Sequence, residues 1–157
     1  MPVIELRGPK GPLEYWPVTP EPTPTTGDQF GRAVAALGDD ILVGAPGNSG
    51  AVYRFDGRDG RLLATFADPD ASGGNRFGVA IAADHGRVVV GAPDHDAGDG
   101  DEGAAYVFDA RTGALQASFF GAAALDQSGT SVAVVGDGIA IGIPTDIGSV
   151  RVIPRVK

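Results

Sequence analysis

An acidic segment at residues 94–102 holds the densest group of metal-ligand side chains in the sequence. Its four aspartates and Glu102 place five carboxylates within nine residues; the aspartates are Asp94, Asp96, Asp99 and Asp101. Ca²⁺ prefers carboxylate oxygens and takes about 6–8 oxygen ligands. The spacing departs from the alternate-residue order of an EF-hand loop, so a solvated acidic loop tip is the alternative interpretation. The sequence therefore predicts either a calcium site formed by these four aspartates or an ordinary acidic loop.

The two histidines, His85 and His95, are the remaining side chains suited to acid–base chemistry near neutral pH. Neither has a neighbouring Ser or Cys in a nucleophile arrangement. The glycines belong to hairpin turns rather than to the strand-to-helix loops that hold phosphate. We therefore expect solvated histidines, no cofactor and no enzyme activity. An active site gathered from several loops is the one arrangement that the sequence would not reveal.

Charge and composition exclude several classes of partner. The chain has 157 residues and a formal net charge of −8 at pH 7, which opposes binding to nucleic acid or anionic lipid. It contains no cysteine, so disulfides and thiolate metal sites are excluded. No apolar run approaches the ~18 residues of a membrane span, so we expect no membrane insertion. The first residues lack the apolar core of a signal peptide, and the localisation is otherwise open, with a virion or an extracellular surface as candidates.

Short motifs recur along the chain. Phe30-Gly31 and Gly44-Ala45-Pro46 return, each 47 residues later, as Phe77-Gly78 and Gly91-Ala92-Pro93. A third copy is weaker: Ser128 stands where Phe is expected, and Ile143 replaces Ala. Self-similarity of this kind indicates a repeat architecture. The repeats span about 27–73, 74–124 and 125–157.

The elements within a repeat are short strands separated by turn residues. In the first copy we predict strands near 32–37, 40–45, 50–56 and 61–66. In the second copy we predict them near 78–83, 87–92, 103–109 and 114–119. Four antiparallel strands in about 45 residues match one blade of a β-propeller.

With both motif halves at this spacing, residues 27–153 resemble the FG-GAP repeats of integrin α-subunit propellers and of many microbial proteins. The resemblance implies an all-β fold with three four-stranded antiparallel propeller-type blades, in which the Phe of each repeat lies between neighbouring blades. Family members often carry a calcium loop between the first two strands of a repeat. Here that position is only a turn, such as 38–40, which is too short to surround a cation. We therefore do not transfer the family calcium site.

Residues 1–26 form a region of different composition. They contain seven of the twelve prolines, which favours an extended Pro-rich arm preceding the propeller-like domain at 27–157. Tyr15 and Trp16 suggest a docking peptide in this arm; folding back onto its own domain is the alternative. The third repeat lacks a fourth strand, which Val3–Leu6 of the same or a neighbouring chain could supply.

Three blades do not close a propeller, since at least four are needed. We therefore expect the blades to complete a ring or assembly with other chains, as a homo-oligomer or as a component of a larger particle. Two chains would give six blades. The loss of Phe at Ser128 indicates that the third blade meets a different neighbour from the others.

The sequence thus predicts a non-catalytic structural or adhesive module that binds protein partners or self-assembles. A virion or phage decoration or attachment protein, anchored by its N-terminal arm, would fit this description. One alternative is an oligomeric propeller lectin or small-ligand binder, although Tyr53 and Tyr106 repeat only twice and Arg151 replaces the third. Another alternative is a fragment of a longer integrin-like cell-surface propeller.

Overall fold

The chain folds into eleven β-strands in a computed structural model that describes residues 25–70, 73–98, 100–145 and 147–155. The strands are β1 (Ala33–Leu37), β2 (Asp40–Ala45), β3 (Ala51–Phe55), β4 (Leu62–Ala67), β5 (Ala80–Asp84), β6 (Arg87–Ala92), β7 (Ala104–Asp109), β8 (Leu115–Phe120), β9 (Ser131–Val135), β10 (Gly138–Ile143) and β11 (Ser149–Ile153). The prediction of an all-β fold is confirmed. Among the described residues, no helix is long and apolar enough to cross a membrane.

The strands form three antiparallel sheets, one per repeat. Sheet 1 has the order β1-β2-β3-β4, sheet 2 the order β5-β6-β7-β8, and sheet 3 the order β11-β10-β9. The predicted strands of the first two repeats agree with these bounds to within two residues. Four-stranded blades are thus confirmed for two repeats, and sheet 3 has three strands in the described part of the chain. Val3–Leu6 and the rest of residues 1–24 lie outside it, so the fourth strand and the division at residue 26 stay predictions.

Tight turns set the register of each sheet. His85 and Gly86 join β5 to β6 with φ of 50° and 75°, the pair of positive values that a type I′ hairpin turn requires. This turn pairs Asp84 with Arg87 and brings Ile81 opposite Val90. The outer pairs of sheets 1 and 2 also share a register irregularity at matching positions, beside Phe55 in one and Phe108 in the other. The repeat is therefore preserved in backbone detail as well as in sequence.

The three sheets pack face to face, with the first strand of each repeat adjacent to the first strand of the next. One apolar core lies between sheets 1 and 2; its large members are Leu42, Val52, Phe66, Phe77, Val88, Val90, Tyr106 and Phe108. A second core lies between sheets 2 and 3, built from Val89, Ala105, Val107, Ile139 and Ile141. Sheet 2 is therefore covered on both faces, which is why every residue of β6 is buried. Each fully buried side chain of this size stabilises the fold by about 1.5–3 kcal/mol.

Two arginines also connect neighbouring sheets. Arg54 of β3 pairs with Asp40 in its own sheet and donates from Nη1 to the carbonyl oxygen of Ala110 in sheet 2, at 2.6 Å. Arg87 of β6 donates from Nη2 to the carbonyl oxygen of Gly136 in sheet 3, at 2.8 Å, and from Nη1 to that of Asp137. Such charge-assisted bonds fix the rotation of one sheet against the next, in addition to the non-directional apolar packing.

Candidate functional site

The segment between β6 and β7 carries the acidic residues and contacts the connection that precedes sheet 2. The backbone N–H of Asp94 donates to the carbonyl oxygen of Asn75 at 3.2 Å. Arg76 forms a two-point ion pair with Asp94, in which Nη2 lies 2.6 Å from Oδ1. The hydrogen bond to Asp94 raises the pKa of Arg76 above its ordinary value. This end of the segment is therefore held to the β4–β5 connection.

The other end of the same segment contacts the connection that follows sheet 2. The carbonyl oxygens of Gly100, Asp101 and Glu102 accept backbone N–H groups of the β8–β9 connection at 2.9–3.1 Å; the donors are Leu125, Gln127 and Ser128. The six extra residues of the second repeat therefore join the connections on both sides of sheet 2. The interpretation as a solvated loop tip holds only for its exposed residues 96–98.

The aspartates proposed as calcium ligands lie in different surroundings. Asp94 is paired with Arg76, and Asp96 accepts the backbone N–H groups of Gly98 and Gly100 at 2.7 and 3.1 Å. Asp101 has a φ of 49°, and Asp99 lies outside the described residues. Within the described ranges, no three Asp, Glu, His or Cys side chains gather closely enough to hold a metal ion. Calcium binding at this loop stays a prediction.

His95, expected to be solvated, is only 4% exposed, and that expectation was wrong. Its ring lies 5.1 Å from that of Phe120 and 6.3 Å from that of Tyr106. Nε2 lies 3.2 Å from Oδ2 of Asp70 in the β4–β5 connection. The insertion has no counterpart in the other repeats, so no repeated pattern indicated which of its residues turn inward. His85, in contrast, lies in an exposed turn as expected.

The phenylalanine of each Phe-Gly pair packs on aromatic residues of the third strand in its own repeat. Phe77 contacts Tyr106 and Phe108, with ring centroids 5.8 and 5.9 Å apart, and it is fully buried in the core between sheets 1 and 2. Its predicted position between blades is therefore confirmed. Phe30 contacts Tyr53 and Phe55 in the same way, but it is only half-buried.

The third repeat replaces this aromatic set as a unit. Ser128 stands at the Phe position, and Arg151 and Ile153 stand where the first two repeats have Tyr and Phe. Ser128 is buried, and a β-carbon on Gly103 would lie 2.3 Å from its carbonyl oxygen. The loss of Phe is thus matched by the loss of the side chains on which it would pack.

The two halves of the repeat motif meet within and between sheets. Within a repeat, the N–H of Gly78 donates to the carbonyl oxygen of Gly91 at 3.0 Å. Between repeats, a β-carbon on Gly44 would lie 2.1 Å from the carbonyl oxygen of Gly78, so this position accepts only glycine. Gly31, the counterpart of Gly78 in the first repeat, has no atom within 4 Å of such a β-carbon.

The two ends of the stack expose apolar side chains. On sheet 3, Val135, Val150 and Val152 are 57–65% exposed on the face turned away from sheet 2. On sheet 1, Val34 is 65% exposed; it lies opposite Val43 on the face turned away from sheet 2. Tyr15 and Trp16, the predicted docking residues, lie outside the described part of the chain.

Sequence reasoning did not single out Asp70 or Phe120. Phe120 stands opposite Ala104 in the sheet 2 ladder, whereas the corresponding residue of sheet 1 is Ala67 opposite Ala51. A large aromatic at a position where the other repeat has alanine was the available signal.

Comparison with known proteins agrees with this architecture. The family model of the FG-GAP repeat matches residues 24–55 and 61–108, just over half of the chain. A comparison with curated proteins finds no match. Among solved structures, a computationally designed protein, Ika8, superposes with a TM-score of 0.56 at 22% identity, over 76% of this chain and 31% of that one. A europium-containing methanol dehydrogenase superposes with a TM-score of 0.53 at 15% identity, over 78% of this chain and 23% of that one.

These structural likenesses, both under 25% identity, concern the propeller-like fold alone and assign no chemistry. The chain spans less than a third of the length of either structure. The family match covers the two repeats that keep the full motif and stops before the third, whose Phe is replaced by Ser128. The chain belongs to the FG-GAP repeat family.

Proposed function

We propose that this chain is a non-catalytic protein-interaction module that completes a propeller ring by head-to-tail association with further copies of itself. The observation that carries the proposal is the pair of outer faces on sheets 1 and 3. Each exposes apolar side chains at positions that are buried wherever the chain itself provides a neighbouring sheet.

The repeat alignment supports this reading residue by residue. Val150 is 65% exposed, whereas its counterparts Val52 and Ala105 are buried between sheets. Val34 is also 65% exposed, whereas its counterpart Ile81 packs against the core between sheets 1 and 2. The outer face of sheet 3 therefore corresponds to one side of an interface that the chain already forms twice, and the outer face of sheet 1 to the other side.

The glycine contacts give the same polarity. Gly44 packs against Gly78 of the following repeat, but Gly142 has no following repeat and Gly31 has no preceding one. Seating Gly142 of one copy against Gly31 of another would repeat the internal junction. Two copies joined twice in this way would contribute six sheets, within the four to eight blades of known propellers. Burial of the exposed valines would also remove an aggregation liability.

Light scattering coupled to size-exclusion chromatography tests this association with charge substitutions on the two faces. Val34→Glu and Val150→Glu each place a charge on one face, at a side chain exposed enough not to disturb the fold. We expect each variant alone to be monomeric. We expect a mixture of the two to form a dimer, because the Val34→Glu copy keeps an intact sheet 3 face and the Val150→Glu copy an intact sheet 1 face. Leu125→Glu, at a loop residue that is 67% exposed, is the matched control and keeps the wild-type mass.

A mixture that stays monomeric would contradict head-to-tail pairing, and so would a monomeric wild-type chain. In the second case the faces await a different protein. The same measurement on a chain lacking residues 1–26 distinguishes the role of the arm. An unchanged mass leaves Tyr15 and Trp16 available for an outside partner, whereas loss of the assembly would assign the arm to the ring itself.

The biological setting that we propose is structural or adhesive, such as decoration of a virion or phage particle through the arm. Its support is the repeat family together with the apolar faces. Co-sedimentation of the full chain, but not of the armless chain, with purified particles is the expected result. A lectin is less well supported because Arg151 breaks the Tyr53 and Tyr106 pattern, and a glycan array that showed binding would reverse that order. Mass analysis of the native protein would detect a longer integrin-like propeller.

A further inference from the structure

A cavity of about 360 Å³ lies beside sheet 2, where the β4–β5 connection meets the β6–β7 segment. The polar groups in its lining come from Asp70, His95, Tyr106 and Ser118, and Phe120 contributes an exposed aromatic ring at 45% exposure. These residues come from four separate segments of the first two repeats. The cavity is distinct from the outer faces proposed for assembly.

Two polar atoms of this lining are buried without a hydrogen bond. Nδ1 of His95 and the hydroxyl oxygen of Tyr106 have no partner among the described residues, although the two side chains belong to residues only 4% and 2% exposed. Buried polar groups in folded proteins are hydrogen-bonded in the large majority, so two unpaired atoms in one lining need an explanation. A bound ligand that pairs with both would provide one.

The available contacts define what such a ligand must offer. Nε2 of His95 lies 3.2 Å from Oδ2 of Asp70, so the neutral imidazole carries its proton on Nε2 and presents a lone pair at Nδ1. The Tyr106 oxygen also has lone pairs, and the Asp70 carboxylate accepts hydrogen bonds only. The lining is therefore rich in acceptors and calls for a ligand rich in donors.

The electrostatic environment of the cavity is negative. Burial, followed by the charges of Asp68 and Asp70, raises the pKa of Tyr106 well above its usual range, so the phenol stays protonated. None of the described residues that line the cavity is Lys or Arg. Three aromatic rings, those of His95, Tyr106 and Phe120, lie within 5.1–6.3 Å of one another. Aromatic faces next to a carboxylate favour an organic cation.

We propose that this cavity binds the protonated amino group of a small organic amine. An ammonium group carries three N–H donors, which match Nδ1 of His95, the Tyr106 oxygen and the Asp70 carboxylate. Its carbon chain then lies along Phe120. The first repeat has Asn48 in place of His95 and Ala67 in place of Phe120, so each chain has a single site of this kind.

Calorimetric or NMR titration of the full chain with n-butylammonium tests the proposal, with 1-butanol as the neutral probe of similar size and tetramethylammonium as a cation without N–H donors. We expect saturable binding of n-butylammonium with aromatic shifts at Tyr106 and Phe120, and at least tenfold weaker binding of the other two. Equal binding of 1-butanol, shifts confined to other residues, or no binding at all would overturn the proposal.

Two variants separate binding from folding. Tyr106→Phe removes an unpaired buried oxygen, so the free protein should melt at the same temperature or higher while its affinity for n-butylammonium falls at least threefold. Asp70→Asn should weaken binding at least tenfold, and Tyr53→Phe, at the matching position of the first repeat, should leave it unchanged. If Tyr106→Phe and Asp70→Asn fold and keep the wild-type affinity, the assigned site is wrong.

Discussion

Gly91 lies so close to the backbone of Gly129 that a β-carbon on Gly91 would be 1.9 Å from the Gly129 carbonyl oxygen. The two residues belong to adjacent repeats, Gly91 to the Gly-Ala-Pro half of one and Gly129 to the Phe-Gly half of the next. The FG-GAP motif is therefore explained as a contact between blades: each half of the motif needs a glycine because the other half lies against it.

We predict that Gly91→Ala lowers the free energy of unfolding by at least about 2 kcal/mol, because the new methyl group meets backbone that cannot turn away. Gly142→Ala is the matched control. There the nearest atom is the Ser131 hydroxyl oxygen, which can rotate away, so we expect a loss below about 1 kcal/mol. Urea denaturation followed by circular dichroism measures both, and equal losses would contradict the explanation of the motif.

Phe77→Ala should lower the free energy of unfolding by about 3–5 kcal/mol, since Phe77 is fully buried between sheets 1 and 2. Phe30→Ala at the equivalent position should cost less, because Phe30 is half-buried at the outer face of sheet 1. Thermal unfolding of the monomeric Val150→Glu background compares the two without a contribution from assembly. A larger loss at Phe30 would show that its face is already covered within one chain.

Arg87→Lys should lower the free energy of unfolding by about 1.5–3 kcal/mol. The guanidinium donates to Gly136 and Asp137 at the same time, and a single ammonium on a different stem does not reproduce that fork. Arg111→Lys, at an exposed residue, is the control and should change stability little. Hydrogen exchange of β9 and β10 amides should rise in the Arg87 variant alone; unchanged protection there would dissociate this arginine from the docking of sheet 3.

Two aspartates should titrate on opposite sides of their ordinary pKa. Burial raises the pKa of Asp68, so its contribution to stability declines as the pH rises from the ordinary value to the raised one. The backbone N–H of Thr112, followed by its hydroxyl, lowers the pKa of Asp109, whose contribution is complete above the ordinary value and is lost as the pH falls through the lowered one. Carboxyl carbon NMR titration resolves both. Thr112→Ala should shift Asp109 back toward its ordinary value and leave Asp68 unchanged; any other pattern would refute these causes.

Much of the fold was predictable because the chain repeats its own punctuation. Turn pairs such as His85 and Gly86 mark the strand ends, and two aligned copies confirmed each other where one alone would have been ambiguous. The open ends followed from counting blades.

The cavity was not predictable in the same way. His95 belongs to an insertion without a second copy, and Asp70 reaches it from a connection that carries no motif. Their contact depends on how sheets 1 and 2 stack, which short-range patterns do not specify.

The glycine contact between blades also gives the chain a direction. Every sheet presents one kind of side to the sheet before it and a complementary kind to the sheet after it, as tongue and groove do in flooring. Duplication or deletion of one repeat in the gene would therefore add or remove a blade without inventing a new interface. For such a chain the number of blades around the axis is a matter of copy number, shared between what one gene encodes and how many gene products join.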